Sequence, residues 1–300
     1  MSKQSTILLG IDFFESSIAA LSEALRLQQS LEARLIVMHV IDNRIWGQLC
    51  DDFAIASAEV ARRAKDRLRY EITESTPSTE EIETVIAPGH PVEELLGACQ
   101  TYQPDLLMLG AKGMKDGEDL CLGHVASRLV RHAPSDIMIV RKGQTTPFRK
   151  IVACIDFSPS SEAVIKRAIE IADAEHAELT VTHVIPHLHQ TATEHSPLEA
   201  LGFEEARVEG LNEANLIKQA TLDLESLVKD FGHLVKRARI HTHVIVNDRA
   251  TRGLLEFGQE SESDLFVLGK HGKSALKNVG VGATIEKVAN EANCSILAVS

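Results

Sequence analysis

Three hundred residues, 44% hydrophobic and 25% charged, make a globular chain long enough for two domains with cores of their own, neither disordered nor membrane-spanning. A formal net charge of −12 argues against nucleic acid as the general partner, since phosphate binding rests on a surplus of Lys and Arg, and 4% aromatic content leaves few platforms for base stacking. No apolar run approaches the length that crosses a bilayer, and the polar start MSKQST lacks a signal-peptide core, so the expected address is the cytoplasm, with no membrane insertion.

Strand and helix then alternate. Thr6 to Ile11 is an apolar strand ending at Asp12, and Glu15 to about Leu31 carries Ile18, Leu21 and Leu25 at the spacing of a packed helix. Arg34 to Val40 is a second strand, and Asp51 to Glu74 reads as one long amphipathic helix. Ile82 to Ala87 is a third strand, closed by Pro88-Gly89-His90-Pro91, which also starts a helix from Val92 to Tyr102. A short strand opened by Asp105 and a fifth from Asp136 to Val140 complete the first set. Lys142 to Phe148, KGQTTPF, reads as a linker between domains at 1–143 and 149–300.

The same order returns beyond it. Lys150 to Ile155 ends at Asp156, Leu179 to Ile185 repeats the second strand, and a helix runs from about Arg207 to Phe231. Ala238 to Val246, a helix from Thr251 to Gln259, a strand opened by Asp264 and a last strand from Ser295 to Val299 follow. The pattern predicts an α/β fold of two doubly wound, mostly parallel five-stranded sheets, Rossmann-like and repeated in tandem, each with a crevice at the carboxyl ends of its strands.

Both copies carry one loop. Gly269, Gly272 and Gly282 follow the apolar run Leu265 to Leu268, and Gly110, Gly113 and Gly123 repeat their spacing after Leu106 to Leu109. Glycines allow close backbone approach, and the helix start beyond them offers free N–H groups and a positive dipole end, so the pair suits a phosphate. Lys270, Lys273 and Lys277 lie in the second loop with no acid between Gly269 and Thr284, whereas the first loop sets Asp116, Glu118 and Asp119 against Lys115. On charge, the second copy attracts an anion and the first repels it. The spacing between equivalents grows from 144 at the strand-one Asp to 159 at the loop, which places an insertion in the second copy, between Pro186 and Ala206.

Ile11-Asp12 and Ile155-Asp156 ending strand one, His39-Val40 and His183-Val184 in strand two, and the doubled glycine spacing together resemble a tandem universal stress protein, two domains of that family fused head to tail. The resemblance covers the whole chain. It implies that the strand-one Asp and the strand-two Val backbone hold adenine and ribose while the glycine loop holds the phosphates. Carried onto the second copy, this gives a site of Asp156, Val184, Gly269 and Gly272, continued by Lys273, Gly282, Ala283 and Thr284. Its degenerate counterpart is Asp12, Val40, Gly110, Gly113, Gly123 and His124. Ser or Thr follows the last loop Gly in nucleotide-binding members; here Gly123 is followed by His124, and Gly282 by Ala283 with Thr284 one place late. The third-strand turn departs too, with Asp248 and Ala250 where the first copy has Gly89 and Pro91.

The implied ligand is ATP or ADP, bringing Mg²⁺ with it, and any hydrolysis is slow, since no nucleophile with an adjacent base is visible. The expected function is a stress-response protein that binds adenine nucleotide in its second domain. The competing reading is a scaffold or ligand carrier for a protein or lipid partner. An adenylyl-transferring enzyme is disfavoured because neither first-strand turn has the His-x-Gly-His or Ser-Gly-Gly pattern of that chemistry. Family members commonly dimerise through the last strand, so an internal pseudo-two-fold is expected with the fifth strands, ending at Val140 and Val299, side by side; a further homodimer stays open.

Single residues have plainer readings. Asp12 and Asp156 also suit helix caps, and His39 and His183 suit packing within their strands. Gly272-Lys273-Ser274 resembles the end of a Walker A loop, but Val267 stands where that motif needs Gly. His187 and His189, with Glu194 and His195 near, are ligand types for a transition metal, although two His at that spacing in a polar loop are more often solvated. Cys50, Cys99, Cys121, Cys154 and Cys294 are odd in number and include no Cys-x-x-Cys pair, so they read as buried, inert thiols.

Overall fold

The computed structural model describes residues 4–76, 82–112, 121–141, 146–187, 213–272 and 282–300. The first half runs β1 (Thr6–Ile11), α1 (Glu15–Leu31), β2 (Arg34–Asp42), α2 (Asn43–Gly47), α3 (Ser57–Ser75), β3 (Glu83–Gly89), α4 (Pro91–Tyr102), β4 (Leu106–Gly110), α5 (His124–His132) and β5 (Asp136–Val140). The second runs β6 (Lys150–Ile155), α6 (Ser161–Glu175), β7 (Glu178–Ile185), α7 (Glu213–Asp230), β8 (Arg239–Val246), α8 (Ala250–Glu260), β9 (Leu265–Gly269), α9 (Ala283–Glu291) and β10 (Ser295–Val299).

Within each half the strands pair in parallel, and the chain reverses direction across the sheet between β1 and β4 and between β6 and β9. The central strands are apolar along their length because helices cover both faces. Two carboxylates open this arrangement in the same way. Asp105 Oδ2 accepts the Thr6 N–H at 2.8 Å, and Asp264 Oδ2 accepts the Lys150 N–H at 2.9 Å, so each pins the start of its half's first strand.

The two five-stranded units join as expected. β5 and β10 pair antiparallel, with Leu297 opposite Met138, giving one ten-stranded sheet in the order β3-β2-β1-β4-β5-β10-β9-β6-β7-β8. One core lies under α1 and α6 and the other under α4, α5, α8 and α9, and each runs through both halves. Cations cross the seam. Buried Lys270, after β9, donates to the Ala133 and Ser135 carbonyls at 2.8 and 2.6 Å, while Arg141, after β5, donates to the Ala289 carbonyl at 2.6 Å. Each half thus satisfies carbonyls at or just past the end of the other's last helix, where a positive charge is favoured.

Two expectations need correction. The helix expected from Asp51 starts at Ser57; Asp42 caps α2 through the Arg44 N–H, a π-helical turn covers Gln48–Asp52, and Ala54 at φ 49° breaks the path. The third strand continues through Pro88 to Gly89, because β3 is an edge strand on which a missing N–H is tolerated. The expected linker start at 142–145, the expected insertion from 188 onward and the first residues, 207–212, of the helix expected from Arg207 lie outside the described residues.

Candidate functional site: a cleft at the carboxyl end of β6

The site begins with a turn that both halves build alike. Asp156 ends β6, its Oδ1 accepts the Ser158 N–H at 3.0 Å, and Phe157 between them takes φ 56°. In the first half Asp12 Oδ1 accepts the Phe14 N–H at 3.1 Å across Phe13 at φ 67°. These carboxylates close short turns ahead of the helices; the residues at the helix N-caps are Phe14 and Ser160. His183 holds the turn from β7: its Nδ1 lies 2.8 Å from the Ile155 carbonyl and its ring packs edge-on to Phe157 at 4.7 Å. His39 repeats both contacts with Ile11 and Phe13, and burial lowers its pKa, so it is neutral at physiological pH. The strand histidines are therefore structural, as their plainer reading had it.

The glycine loop is pinched at its neck. Gly282 N–H donates to the Lys270 carbonyl at 2.8 Å, and Gly123 N–H to the Ala111 carbonyl at the same distance, which explains the recurring spacing. The Ser160 hydroxyl donates to the His271 carbonyl at 2.8 Å, tying the loop to the start of α6. Gly272 brings the backbone onto Asp156: a Cβ there would stand 2.7 Å from Asp156 Oδ2. Gly282 is the N-cap of α9 and supplies no side-chain bond, so the first-turn N–H groups of that helix are left for other acceptors.

These elements enclose a cleft of about 360 Å³, bordered by Asp156, Val184, Gly269, Gly272, Gly282 and Thr284. Ala283 borders it as well. Seven of the eight residues expected in the site thus share one cavity. The eighth, Lys273, lies outside the described residues, as do Lys277, Gly113 and the charged residues expected to separate the two loops. Lys270 points elsewhere, into the seam, where burial pushes its pKa down to about 8. It is not a ligand for an anion in the cleft, because its ammonium is turned to the first half.

Part of the site escaped the sequence reading. Cys154 and Thr182 form a small polar floor; Thr182 is fully buried and donates to the Ala153 carbonyl at 3.3 Å, and burial pushes the Cys154 thiol up to about 12. In the first half Gly10 and Met38 replace them, and a Cβ on Gly10 would stand 2.6 Å from the Leu109 side chain, which has closed down on that floor. The helices differ in charge too. α4 carries Glu93 and Glu94 in its first turn, whereas α8, counted from its N-cap Arg249, has Arg252 and Gly253 there. An anion near the helix start is repelled in the first half and tolerated in the second. The alternation that marks a strand carries no sign of which inward residue becomes a floor.

The remaining candidates disperse. Asp248 Oδ1 accepts the His187 N–H at 3.0 Å, linking the turns after β7 and β8, and His187 Nδ1 lies 3.3 Å from Glu213. Its expected partner His189 lies outside the described residues, and among the described residues no cluster of three metal-ligating side chains forms. Of the five cysteines expected to be buried, Cys99 alone is; Cys50, Cys154 and Cys294 are half-buried, and Cys121, in the turn before α5, is exposed.

The model of the universal stress protein family matches the chain twice, over residues 4–141 and 147–300. Universal stress protein A homolog 1 of Coxiella burnetii is 30% identical over 152 residues, 51% of this chain and 96% of that one. A universal stress protein of Archaeoglobus fulgidus shares the fold over 98% of this chain and 96% of its own, with a TM-score of 0.66 at 17% identity. A functionally unknown protein of Pseudomonas aeruginosa does so over 99% and 92%, with a TM-score of 0.65 at 14% identity.

Proposed function

The chain belongs to the universal stress protein family, and we propose on that premise that residues 149–300 bind an adenine nucleotide, ATP or ADP, while residues 1–143 act as the scaffold half. The observation that carries this reading is the convergence of the Asp156 carboxylate, the Gly272 backbone and the open start of α9 on one cavity of about 360 Å³. A carboxylate accepts from vicinal ribose hydroxyls, a glycine backbone admits a phosphate closely, and a helix start stabilises its charge. Thr284 supplies the hydroxyl that Ala283 lacks, and Mg²⁺ would arrive with the nucleotide.

The role is binding, with little or no turnover. Ser160 and Thr182 commit their hydroxyls to carbonyl oxygens, and the Cys154 thiol stays protonated near neutrality, so none is an activated nucleophile. Within this proposal the protein works in the cytoplasm during the stress response.

Isothermal titration of the intact chain with ATP and Mg²⁺ tests it. Saturable heat is expected, and Gly272→Asp, which sets a second carboxylate against Asp156, should abolish it while the circular dichroism spectrum is kept. A flat titration, with no nucleotide released from freshly purified protein on denaturation, would favour a carrier for a protein or lipid partner instead.

A further inference from the structure

A second cavity, of about 670 Å³, opens beside the cleft between α8 and α9, and the two share Ala250 and Thr284 on their common rim. Thr284 follows the loop that the proposed function gives to phosphate, so a ligand lying in the cleft with its phosphates at Gly282 ends where this groove begins. The groove is nearly twice the size of the cleft and has its own chemistry. Leu255, Gly258 and Phe266 contribute an apolar floor, and Gly258 is needed there because any Cβ would run into the Phe266 ring.

Charge narrows the occupant. Arg249, Arg252 and Lys287 border the groove together with Glu256 and Glu291. Arg252 is held by Glu256 at 2.7 Å, and Glu256 also accepts from Asn247, which leaves the surround close to neutral. A bare polyphosphate tail would cover apolar surface and meet two carboxylates. An organic arm, polar at its edges and joined through a phosphate, would meet the apolar floor, with Lys287 one helical turn on from Thr284 along the groove.

We infer that this groove takes an arm esterified to the terminal phosphate of the bound nucleotide, so that the preferred ligand is an esterified adenosine diphosphate and not the free nucleotide. The inference rests on the proposed nucleotide site and adds a subsite to it.

Titration of the intact chain with ADP and with ADP-ribose separates the two. ADP-ribose should bind about tenfold more tightly than ADP, a difference of about 1.4 kcal/mol. Leu255→Trp, which fills the groove, should erase that gain and leave ADP affinity unchanged, and the smaller Leu255→Phe should reduce it. Leu255 is half-buried, and its Phe variant remains informative if Trp there impairs folding. Equal affinities for the two ligands, or a gain that survives Leu255→Trp in a folded chain, would overturn the inference and leave the nucleotide site standing. Binding of ADP-ribose with none of ADP would keep the subsite and retire the free nucleotide as ligand. No binding of either would remove both readings.

Discussion

Cys154 and Asp156 stand two residues apart at the end of β6 and border the same cleft, yet only one was legible as part of a site. A carboxylate at the end of a buried strand announces itself, because burying its charge without a partner is costly. A cysteine there reads as one more apolar residue until a groove is found above it. The thiol is expected to be inert in spite of that position. With iodoacetamide at pH 8, peptide mass spectrometry should find exposed Cys121 modified first and Cys154 unmodified until the chain is unfolded, since burial pushes the Cys154 thiol up to about 12. Early labelling of Cys154 would mean that the cleft floor is open to solvent.

Helix ends show what periodicity conveys and what it hides. Apolar spacing placed α1, α4 and α8 within a residue or two, because each buries one face against the sheet. It could not show where α3 begins, since residues 51–56 carry no breaker and only the left-handed Ala54 stops the helix. Among the described residues, three helices are followed directly by left-handed residues that are not glycine: Glu32 after α1, Gln103 after α4 and His176 after α6. Glycine adopts that conformation without a Cβ clash. Gln103→Gly, which touches no site residue, should stabilise the chain by about 0.5–1 kcal/mol and raise the thermal midpoint by about 2 °C. A midpoint that falls would show that the Gln103 side chain contributes more than its backbone costs.

At the scale of the molecule, the seam between the halves holds ionisable groups in unusual states. Glu23 on α1 is fully buried on the side where α1 meets α6, near Glu175; burial first, and then Glu175, push it up to about 8 against the pull of Arg26. Arg26 also donates to the Thr146 carbonyl, and Glu175 accepts the Phe148 N–H at 3.0 Å, so the end of the connecting segment is fixed by this group. A carboxyl whose pKa is higher folded than unfolded binds more protons in the native state, so stability falls as pH rises from about 4.5 to about 8. Lys270 works in the next window: its pKa falls from 10.5 to about 8 on folding, so its contribution rises over that range. Urea denaturation at pH 5, 6.5 and 8 should show wild type losing stability with pH and Glu23→Gln losing less. Parallel slopes for the two proteins would mean that Glu23 is ionised in the native state.

Sequence alone determined the repeat, the α/β alternation, the two Asp-ended first strands and the doubled glycine spacing, because each depends on local spacing and backbone freedom that a single segment carries. That β5 and β10 lie side by side was reached through family likeness, and the structure pairs them antiparallel. Tertiary structure decided the rest. It turned Lys270 from the loop into the seam, made Cys154 and Thr182 a floor, and opened a groove between α8 and α9. Those outcomes depend on which distant surfaces meet, and a side chain's direction is set by what it packs against more than by its neighbours in the chain.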